Sequence, residues 1–342
     1  MGGPTVTSRE RVIRCLQFNY PDRAPRELWH LPGVPALRKK ELEELVTRYP
    51  MDFWVPPLPY ATGKRTAGVP NTIGNYTDEW GCVWTVAEEG VVGEVKGHPL
   101  IGWDAHSAFE APWELFEGID FAGINRQCET TDLFVRASTC VRLFERMQFL
   151  RGTENTYLDL ALLSSDFFRL RDLVHEFFLH EIRLWARTKV DAIAFIDDWG
   201  SQNHLLVDPE LWRRVFKPLY REYCDTIKAA GKYVFFHTDG NVESIMDDFL
   251  EIGVDAINTQ LFCMDIEGLA QRFKGRMTFW GEICRQSVLP FGTVADVHRA
   301  VCRVRRAFDD GRGGLIAQCE WGTADPAENI AAVYEAWGST TY

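Results

Sequence analysis

Residues 232–240 read KYVFFHTDG, an apolar run that ends in the polar residues His237 and Asp239. Other stretches of the chain repeat this arrangement, and each precedes a longer segment in which apolar residues have helical spacing. These runs are LFVRAS (133–138), DAIAFIDDW (191–199), DAINTQ (255–260), MTFWGEI (277–283) and GLIAQCEW (314–321). Apolar strands that alternate with helices are typical of a parallel sheet with crossover helices.

The helical segments return the chain from the end of one strand to the start of the next. A closed barrel and an open doubly wound sheet share this alternation. No strand is followed by GxGxxG, which disfavours a dinucleotide-binding open sheet. We therefore predict an α/β protein in which residues 1–342 form a single (β/α)8 TIM barrel domain, with a first strand at RELWH (26–30). Helices are predicted at residues 165–189, 209–230, 242–253, 266–273, 293–310 and 326–337.

Residues 71–100 depart from this pattern, because their apolar residues recur with a period near two. The runs NYTDEWGCVWTVAEEG and VVGEVKGHPL are joined at residues 88–90, Glu-Glu-Gly, a composition typical of a turn. We predict an antiparallel hairpin inserted near residues 71–100. Its rings Tyr76, Trp80 and Trp84 either pack the hairpin on the barrel or wall a ligand pocket.

Composition narrows the class of protein. The 342 residues are 46% hydrophobic and 25% charged, a balance typical of a globular chain with a sizeable core. The net charge of -12 disfavours nucleic-acid binding, which needs clustered Lys and Arg. Nine cysteines without a CxxC pair are typical of reduced thiols. Because no stretch reaches the ~20 apolar residues of a membrane helix, we expect a cytoplasmic protein without membrane contact.

Polar side chains at the carboxyl ends of the predicted strands are the candidates for function, since ligands bind there in both parallel architectures. Each of them can also be explained as a cap of the following helix, with no part in function. This structural explanation is much weaker when polar residues end five strands at once. The candidates are Asp197, Asp198 and Gln202; His237 and Asp239; Asn258 and Gln260; Glu282; and Cys319 and Glu320.

His237 and Cys319 are the most specific pair among these candidates. Imidazole nitrogen and thiolate sulfur are the donors that Zn²⁺ prefers. Asp239 lies two residues from His237 on one strand, so both side chains point to the same face. Glu282 can supply a further carboxylate ligand. The alternative is a hydrogen-bonded structural histidine and a buried cysteine, with no metal.

Four segments of the chain resemble a known family. They are FIDDWGSQ (195–202), GKYVFFHTDGNV (231–242), TFWGEICRQSVLPFGT (278–293) and IAQCEWGTADPAENI (316–330). Together they resemble the uroporphyrinogen decarboxylase superfamily, which places porphyrin decarboxylases and corrinoid-dependent methyltransferases on a (β/α)8 barrel. The chain departs from the decarboxylases, because APRELWHLPG (24–33) replaces their arginine-rich segment and residues 318–320, Gln-Cys-Glu, replace a His-containing one. The methyltransferase branch is the closer resemblance.

The methyltransferases that act on coenzyme M bind zinc through an HxCG strand end and a later cysteine before a PxEN helix start. His237, Cys319 and residues 326–329 match this pattern, whereas Asp239 replaces the family's cysteine. A carboxylate makes the site harder and less suited to thiol activation. The resemblance therefore implies an O-demethylase-type methyltransferase, which moves a methyl group from a small methoxylated, aromatic substrate to the cobalt of a separate corrinoid protein.

The resemblance also implies roles for individual residues. Zn²⁺ held by His237, Glu282 and Cys319 would polarise the ether oxygen, with Asp239 as a further ligand or an orienting partner. Asp198 or Asp197 would hold or protonate the leaving group. The expected substrate pocket is made of Trp29, Tyr60, Trp84, Trp199, Gln202 and Asn258.

The expected partners are a small methylated substrate, a corrinoid protein and a second copy of the chain in a homodimer. The sequence contains no DxHxxG segment of an internal corrinoid domain, so the corrinoid is expected on another protein. Two alternatives stay open. One is a decarboxylase of a small carboxylic acid, and the other is a catalytically silent barrel that binds no metal.

Overall fold

The computed structural model describes residues 6–339, apart from the side chains of residues 105–107. Eight parallel strands surrounded by helices form a nearly closed barrel, so the predicted (β/α)8 TIM barrel is confirmed. The barrel strands are β1 (Arg26–His30), β2 (Phe53–Trp54), β6 (Phe134–Ser138), β7 (Ala192–Ile196), β8 (Tyr233–Thr238), β9 (Ala256–Thr259), β10 (Thr278–Trp280) and β11 (Leu315–Trp321). They are hydrogen-bonded in the order β1-β11-β10-β9-β8-β7-β6-β2.

Asp52 joins the two ends of this sheet. Its backbone N–H donates to the carbonyl oxygen of Arg26 at 2.9 Å, and its carboxylate accepts from the Arg26 N–H at 2.7 Å. The same buried carboxylate accepts from the guanidinium groups of Arg11 and Arg23, both at 2.7 Å. These contacts bridge β1 and β2, where the sheet has no ladder of its own.

The helices form a layer outside the barrel. The predicted helix at 209–230 is two helices that meet at Phe216, and the other predicted helices agree with the structure to within a few residues. Within residues 6–339, no helix combines the length and apolar character needed to cross a bilayer. The helices are α1 (Ser8–Leu16), α2 (Gly33–Leu37), α3 (Lys39–Arg48), α4 (Ala122–Thr130), α5 (Leu143–Arg151), α6 (Thr153–Leu162), α7 (Ser165–Ala186), α8 (Pro209–Val215), α9 (Lys217–Ala229), α10 (Met246–Glu251), α11 (Ile266–Phe273), α12 (Val288–Phe291), α13 (Val294–Phe308) and α14 (Ala327–Gly338).

The insertion near residues 71–100 is a separate antiparallel sheet of three strands, one more than a hairpin. Its strands are β3 (Gly74–Thr77), β4 (Val83–Val86) and β5 (Glu94–Gly97). The buried carboxylate of Asp78 fixes it to the barrel, because it accepts from Arg146 on α5 at 2.7 Å and from the Trp84 indole at 3.0 Å. Trp80 packs edge-on against Phe177 of α7, with ring centroids 4.8 Å apart.

Alternation along each strand separates an inner core from an outer one. Phe235 of β8 and Ile316 of β11 belong to the inner core, which α1 covers at one end with Val12, Cys15 and Leu16. Their neighbours Phe236 and Ala317 belong to the outer core, between strands and helices. Because side chains alternate with a period of two, this register decides which strand-end residues reach the barrel interior.

Candidate functional site

His237, Asp198 and Asp239 form a compact group of possible metal ligands at the carboxyl ends of β7 and β8. The Nε2 atom of His237 lies 3.6 Å from Asp198 Oδ1 and 3.5 Å from Asp239 Oδ1. One potential ligand atom from each residue lies within 4.8 Å of the others. Among the described residues this is the group of His, Cys, Asp and Glu whose geometry fits a metal ion. The two-residue spacing of His237 and Asp239 does place them on one face.

Two glycines let the loops after β7 and β8 approach closely enough to form this group. A Cβ on Gly240 would lie 2.2 Å from the backbone of Gly200, and Gly240 has a φ of +77. The Gly200 N–H donates to the Asp239 carbonyl oxygen at 2.9 Å, and the Asp239 N–H donates to Asp198 Oδ1 at 2.9 Å. A side chain at either glycine would separate the two carboxylates.

Asn258 of β9 orients the imidazole. Its Oδ1 lies 2.6 Å from His237 Nδ1, and its amide nitrogen donates to the Trp280 carbonyl oxygen and to Gln318 Oε1. Because the Asn258 oxygen can only accept, Nδ1 carries a proton, and Nε2 is the ring nitrogen that faces the two aspartates. Trp29 packs beside the ring, with centroids 5.3 Å apart. The sequence predicts Asn258 in the substrate pocket, but the structure buries it completely beneath His237.

Arg285, in the loop after β10, links the group to two further acidic residues, Glu282 and Glu320. Its guanidinium contacts Asp239, lies 2.7 Å from Glu320 and 3.7 Å from Glu282. Burial lowers the pKa of Arg285, but these carboxylates raise it more, so the guanidinium stays charged. No sequence pattern singled out Arg285.

Glu282, which is buried, and Glu145, which is partly exposed, are two acidic residues near this group whose pKa values are raised. Burial raises the pKa of Glu282 to about 8 despite Arg285, and Glu282 Oε1 has no hydrogen-bond partner among the described residues. Burial, followed by the charge of Asp198, raises the pKa of Glu145 on α5 to about 8. Glu282 was predicted, whereas Glu145 lies inside a helical stretch and carries no strand-end signal.

Cys319 faces away from this group. Its neighbour Gln318 contacts Asn258 inside the barrel, so the Cys319 side chain points to the outer core, where Sγ lies 3.7 Å from Tyr334 Oη. Burial raises the pKa of the Cys319 thiol to about 12. The structure therefore does not bring the predicted set of His237, Glu282 and Cys319 together, and Asp198 and Asp239 stand beside the imidazole instead.

Several other predicted residues also belong to the outer core. Asp197 accepts from the backbone N–H groups of Phe144 and Glu145 at 2.6 and 2.9 Å and so caps α5. Trp199 stacks on Phe144 with centroids 4.5 Å apart. Tyr60 donates to a buried carboxylate of α7, and Trp84 packs within the inserted sheet. Of the predicted aromatic pocket, Trp29 lies next to His237.

A pocket of about 300 Å³ opens beside Arg285. It contains Gln202 and Glu282, which the sequence predicts, and two cysteines, which it does not. Both cysteines follow a strand end by four residues, so a wider window around each strand end would have found them. The lining residues are Gln202, Gln260, Leu261, Phe262, Cys263, Glu282, Cys284, Arg285, Gln286 and Ser287.

Comparison with known proteins identifies the family. The family model described as uroporphyrinogen decarboxylase (URO-D) matches residues 144–339. A methyltransferase from Methanosarcina mazei has 14% sequence identity and a TM-score of 0.71, over 97% of this chain and 98% of that chain. A glycosylated endo-beta-1,4-xylanase from Gloeophyllum trabeum has 10% identity and a TM-score of 0.45, over 98% of this chain and 100% of that chain.

At 14% identity the methyltransferase structure supports the barrel fold alone. A comparison with curated protein sequences gives no match. The family match, in contrast, includes His237, Asp198 and Asp239 and spans more than half of the chain. The protein therefore belongs to the uroporphyrinogen decarboxylase (URO-D) family.

Proposed function

We propose that this protein is a zinc-dependent methyltransferase that takes a methyl group from a small methoxylated substrate and passes it to the cobalt of a separate corrinoid protein. The group of Asp198, His237 and Asp239 carries this proposal, because it lies at the carboxyl ends of the strands, where barrel enzymes act. Membership of the family and the shared fold of a solved methyltransferase support it.

The side chains fit a divalent ion. One imidazole nitrogen and two carboxylate oxygens are ligands that Zn²⁺ accepts, and they leave room for a substrate atom. His237, Asp198 and Asp239 would hold the ion, with Asn258 fixing the imidazole. A bound zinc ion supplies a Lewis acid for the ether oxygen. These ligand atoms are harder than those of the sequence-predicted set, because a carboxylate oxygen of aspartate takes the place of the Cys319 sulfur.

Cleavage of a methyl ether also needs a proton, since the substrate oxygen leaves as an alkoxide or phenolate unless it is protonated. The pKa values of Glu145 and Glu282 are raised, chiefly by burial, which favours their protonated forms. Either carboxyl can donate to the substrate oxygen as the bond to the methyl carbon breaks. Asp197, a predicted donor, is committed to capping α5.

A decarboxylase of a small acid is the second candidate, and charge pairing in the barrel argues against it. Arg285 is already shared by Asp239 and Glu320. Arg136, inside the barrel, is paired with the buried Glu27 at 2.7 Å. A substrate carboxylate would have to compete with these partners for either guanidinium.

Metal analysis combined with a transfer assay tests the proposal. Wild type, Asp198→Asn, His237→Ala and the control Cys319→Ala are purified with zinc, and their zinc content is measured. Transfer to reduced cob(I)alamin is followed spectrally with a panel of methoxy aromatics and methylamines. We expect wild type and Cys319→Ala to bind zinc and form methylcobalamin, and the other two variants to do neither. Zinc-free wild type, or no methylcobalamin from any donor, would refute the proposal.

A further inference from the structure

Another cavity lies at the amino-terminal end of the barrel strands, opposite the candidate metal group. It has a volume of about 440 Å³ and is bordered by Arg26 and Leu315, the first residues of β1 and β11. A volume of this size is typical of small-molecule sites. Arg23, Arg305 and Trp337 also line the cavity. The proposed methyl transfer uses none of these side chains.

Two of the three arginines hold structural partners. Arg23 donates to both carboxylate oxygens of Asp52, at 2.7 and 3.0 Å. Arg305 donates to the carbonyl oxygens of Ala336 and Ser339 at 2.7 and 2.8 Å, at the carboxyl end of α14. These contacts fix both guanidinium groups as part of the cavity wall.

Arg26 differs from the other two arginines. Its backbone N–H donates to Asp52, but its guanidinium has no carboxylate or other hydrogen-bond acceptor among the described residues. The guanidinium lies 5.6 Å from the ring centroid of Tyr49, and its Nη2 atom would be 3.9 Å from a Cβ on Gly338, which lines the cavity. The side chain is half-buried, and burial together with the charge of Arg23 lowers its pKa. An arginine stays protonated in a protein, so a positive charge without an anion stands at the cavity wall.

The charges around the cavity do not balance either. Among the described residues, the charged side chains that line the cavity or pair with its lining are four guanidinium groups and three carboxylates. The members of this set are Arg11, Arg23, Arg26 and Arg305 with Asp22, Asp52 and Asp309. Each of the three carboxylates lies within 4 Å of an arginine other than Arg26. The cavity therefore offers one cation to an anionic ligand.

We propose that Arg23 and Arg26 form a binding site for the phosphate group of a small molecule at the amino-terminal end of the barrel. A guanidinium group binds an oxyanion through two parallel N–H donors. Arg26 can direct such a pair of donors into the cavity, and the Nε–H of Arg23 is not used by Asp52. A carboxylate is satisfied by one guanidinium group. The oxygens of phosphate point in several directions and can bind both arginines.

The size of the cavity favours a phosphate ester over free phosphate. The volume of about 440 Å³ exceeds what a phosphate group alone needs, and Leu315 and Trp337 provide apolar wall for an organic part. The phosphate group would also strengthen the junction of β1 and β2, because Arg23 and the Arg26 backbone both contact Asp52. This inference concerns the end of the barrel opposite the candidate metal group, so its test is independent of the proposed function.

Isothermal titration calorimetry of the full chain tests the site. Inorganic phosphate, ribose 5-phosphate and acetate are titrated at constant ionic strength, because salt screens charge interactions. We expect saturable one-to-one binding of both phosphates, tighter for ribose 5-phosphate, and weaker binding of acetate. Equal affinities for the two phosphates would identify free phosphate as the ligand of the same site. Acetate that binds as tightly as phosphate would overturn the assignment to a phosphate group.

Variants locate the binding. Arg26→Gln should weaken phosphate binding at least about tenfold, because hydrogen bonds to a charged group are lost. Arg26→Lys keeps the charge but not the paired donors, so its affinity should lie between those of wild type and Arg26→Gln. Arg126→Gln is the matched control, because it removes the same charge from an exposed position on α4 and should bind like wild type.

Urea unfolding without phosphate shows whether each variant is folded. If Arg26→Gln does not fold, the comparison of Arg26→Lys with wild type decides the matter, and equal affinities of these two overturn the proposal. Wild type without saturable phosphate binding overturns it as well. The same holds if folded Arg26→Gln binds phosphate as tightly as wild type.

Discussion

Replacing Asn258 tests how the barrel prepares His237 for a metal ion. Asn258 Oδ1 holds His237 Nδ1 at 2.6 Å, and Gln318 Oε1 accepts from the Asn258 amide at 3.1 Å. In Asn258→Ala the imidazole loses this support and can rotate or change tautomer. Both changes turn the Nε2 lone pair away from Asp198 and Asp239.

The size of the effect follows from the position of Asn258 behind His237, a proposed zinc ligand. Loss of such an orienting partner usually costs 10–100-fold in metal affinity, or about 1.4–2.7 kcal/mol of binding free energy. The unfolding free energy should also fall by ~1–3 kcal/mol, because Asn258→Ala leaves the buried Trp280 carbonyl oxygen without its amide donor. Affinity and stability must therefore be measured separately.

Competition with a chromophoric chelator gives the zinc affinity, and urea unfolding gives the stability. Ile257→Val is the matched control, because Ile257 is equally buried on the same strand but belongs to the outer core. We expect Ile257→Val to bind zinc like wild type. If Asn258→Ala binds zinc within twofold of wild type while remaining folded, Asn258 does not orient the ligand and the reasoning fails.

Two further predictions concern buried charges outside the site. Arg146→Met leaves the buried charge of Asp78 without its partner and should lower the free energy of unfolding, measured in urea, by about 3–5 kcal/mol. A loss below about 1 kcal/mol would contradict the view that this buried ion pair anchors the inserted sheet. Burial raises the pKa of Glu181 from 4.5 to about 7. The contribution of Glu181 to the free energy of unfolding is therefore complete below pH 4.5, where the side chain is protonated in both the folded and the unfolded chain. That contribution is lost as the pH rises through 7 and the buried side chain ionises. Glu181→Gln stays neutral, and its stability relative to wild type should rise by roughly 3 kcal/mol between pH 5 and pH 8. Thermal unfolding of both proteins between pH 5 and pH 8 checks the sign of this change. A stability difference between Glu181→Gln and wild type that does not change with pH would contradict the prediction.

Hydrophobic periodicity predicts most of the barrel because its strands are largely apolar runs of three to seven residues, as β10 and β11 are. The exception is β2, which has two residues, Phe53 and Trp54. Two residues give no periodic signal. β2 pairs with β6 on one side, and on the other side it is held by Asp52 and by arginines distant in sequence. A local pattern cannot reveal these contacts.

The site is harder to predict than the fold, because the sequence does not say which of two adjacent residues points inward. Asp197 and Asp198 follow one strand, and only Asp198 reaches His237. On β11 the inward positions are Gln318 and Glu320, so Cys319 faces Tyr334. His237 and Asp239 were predictable as a pair, because residues two apart on a strand point to the same face of the sheet, whichever face that is.

A series of contacts between charged side chains connects the candidate metal group of Asp198, His237 and Asp239 to the loop after β10. Contacts of 3.6 Å or less connect His237 to Asp198 and Asp239, then to Arg285, and from there to Glu320. This chain of contacts contains three acidic residues and one guanidinium, and burial raises the pKa of Asp198. Acidic groups therefore outnumber the guanidinium at this end of the barrel, and negative charges this close together disfavour one another. A divalent cation at Asp198, His237 and Asp239 balances that charge, which makes the acidic residues around Arg285 an argument for the proposed metal rather than against it.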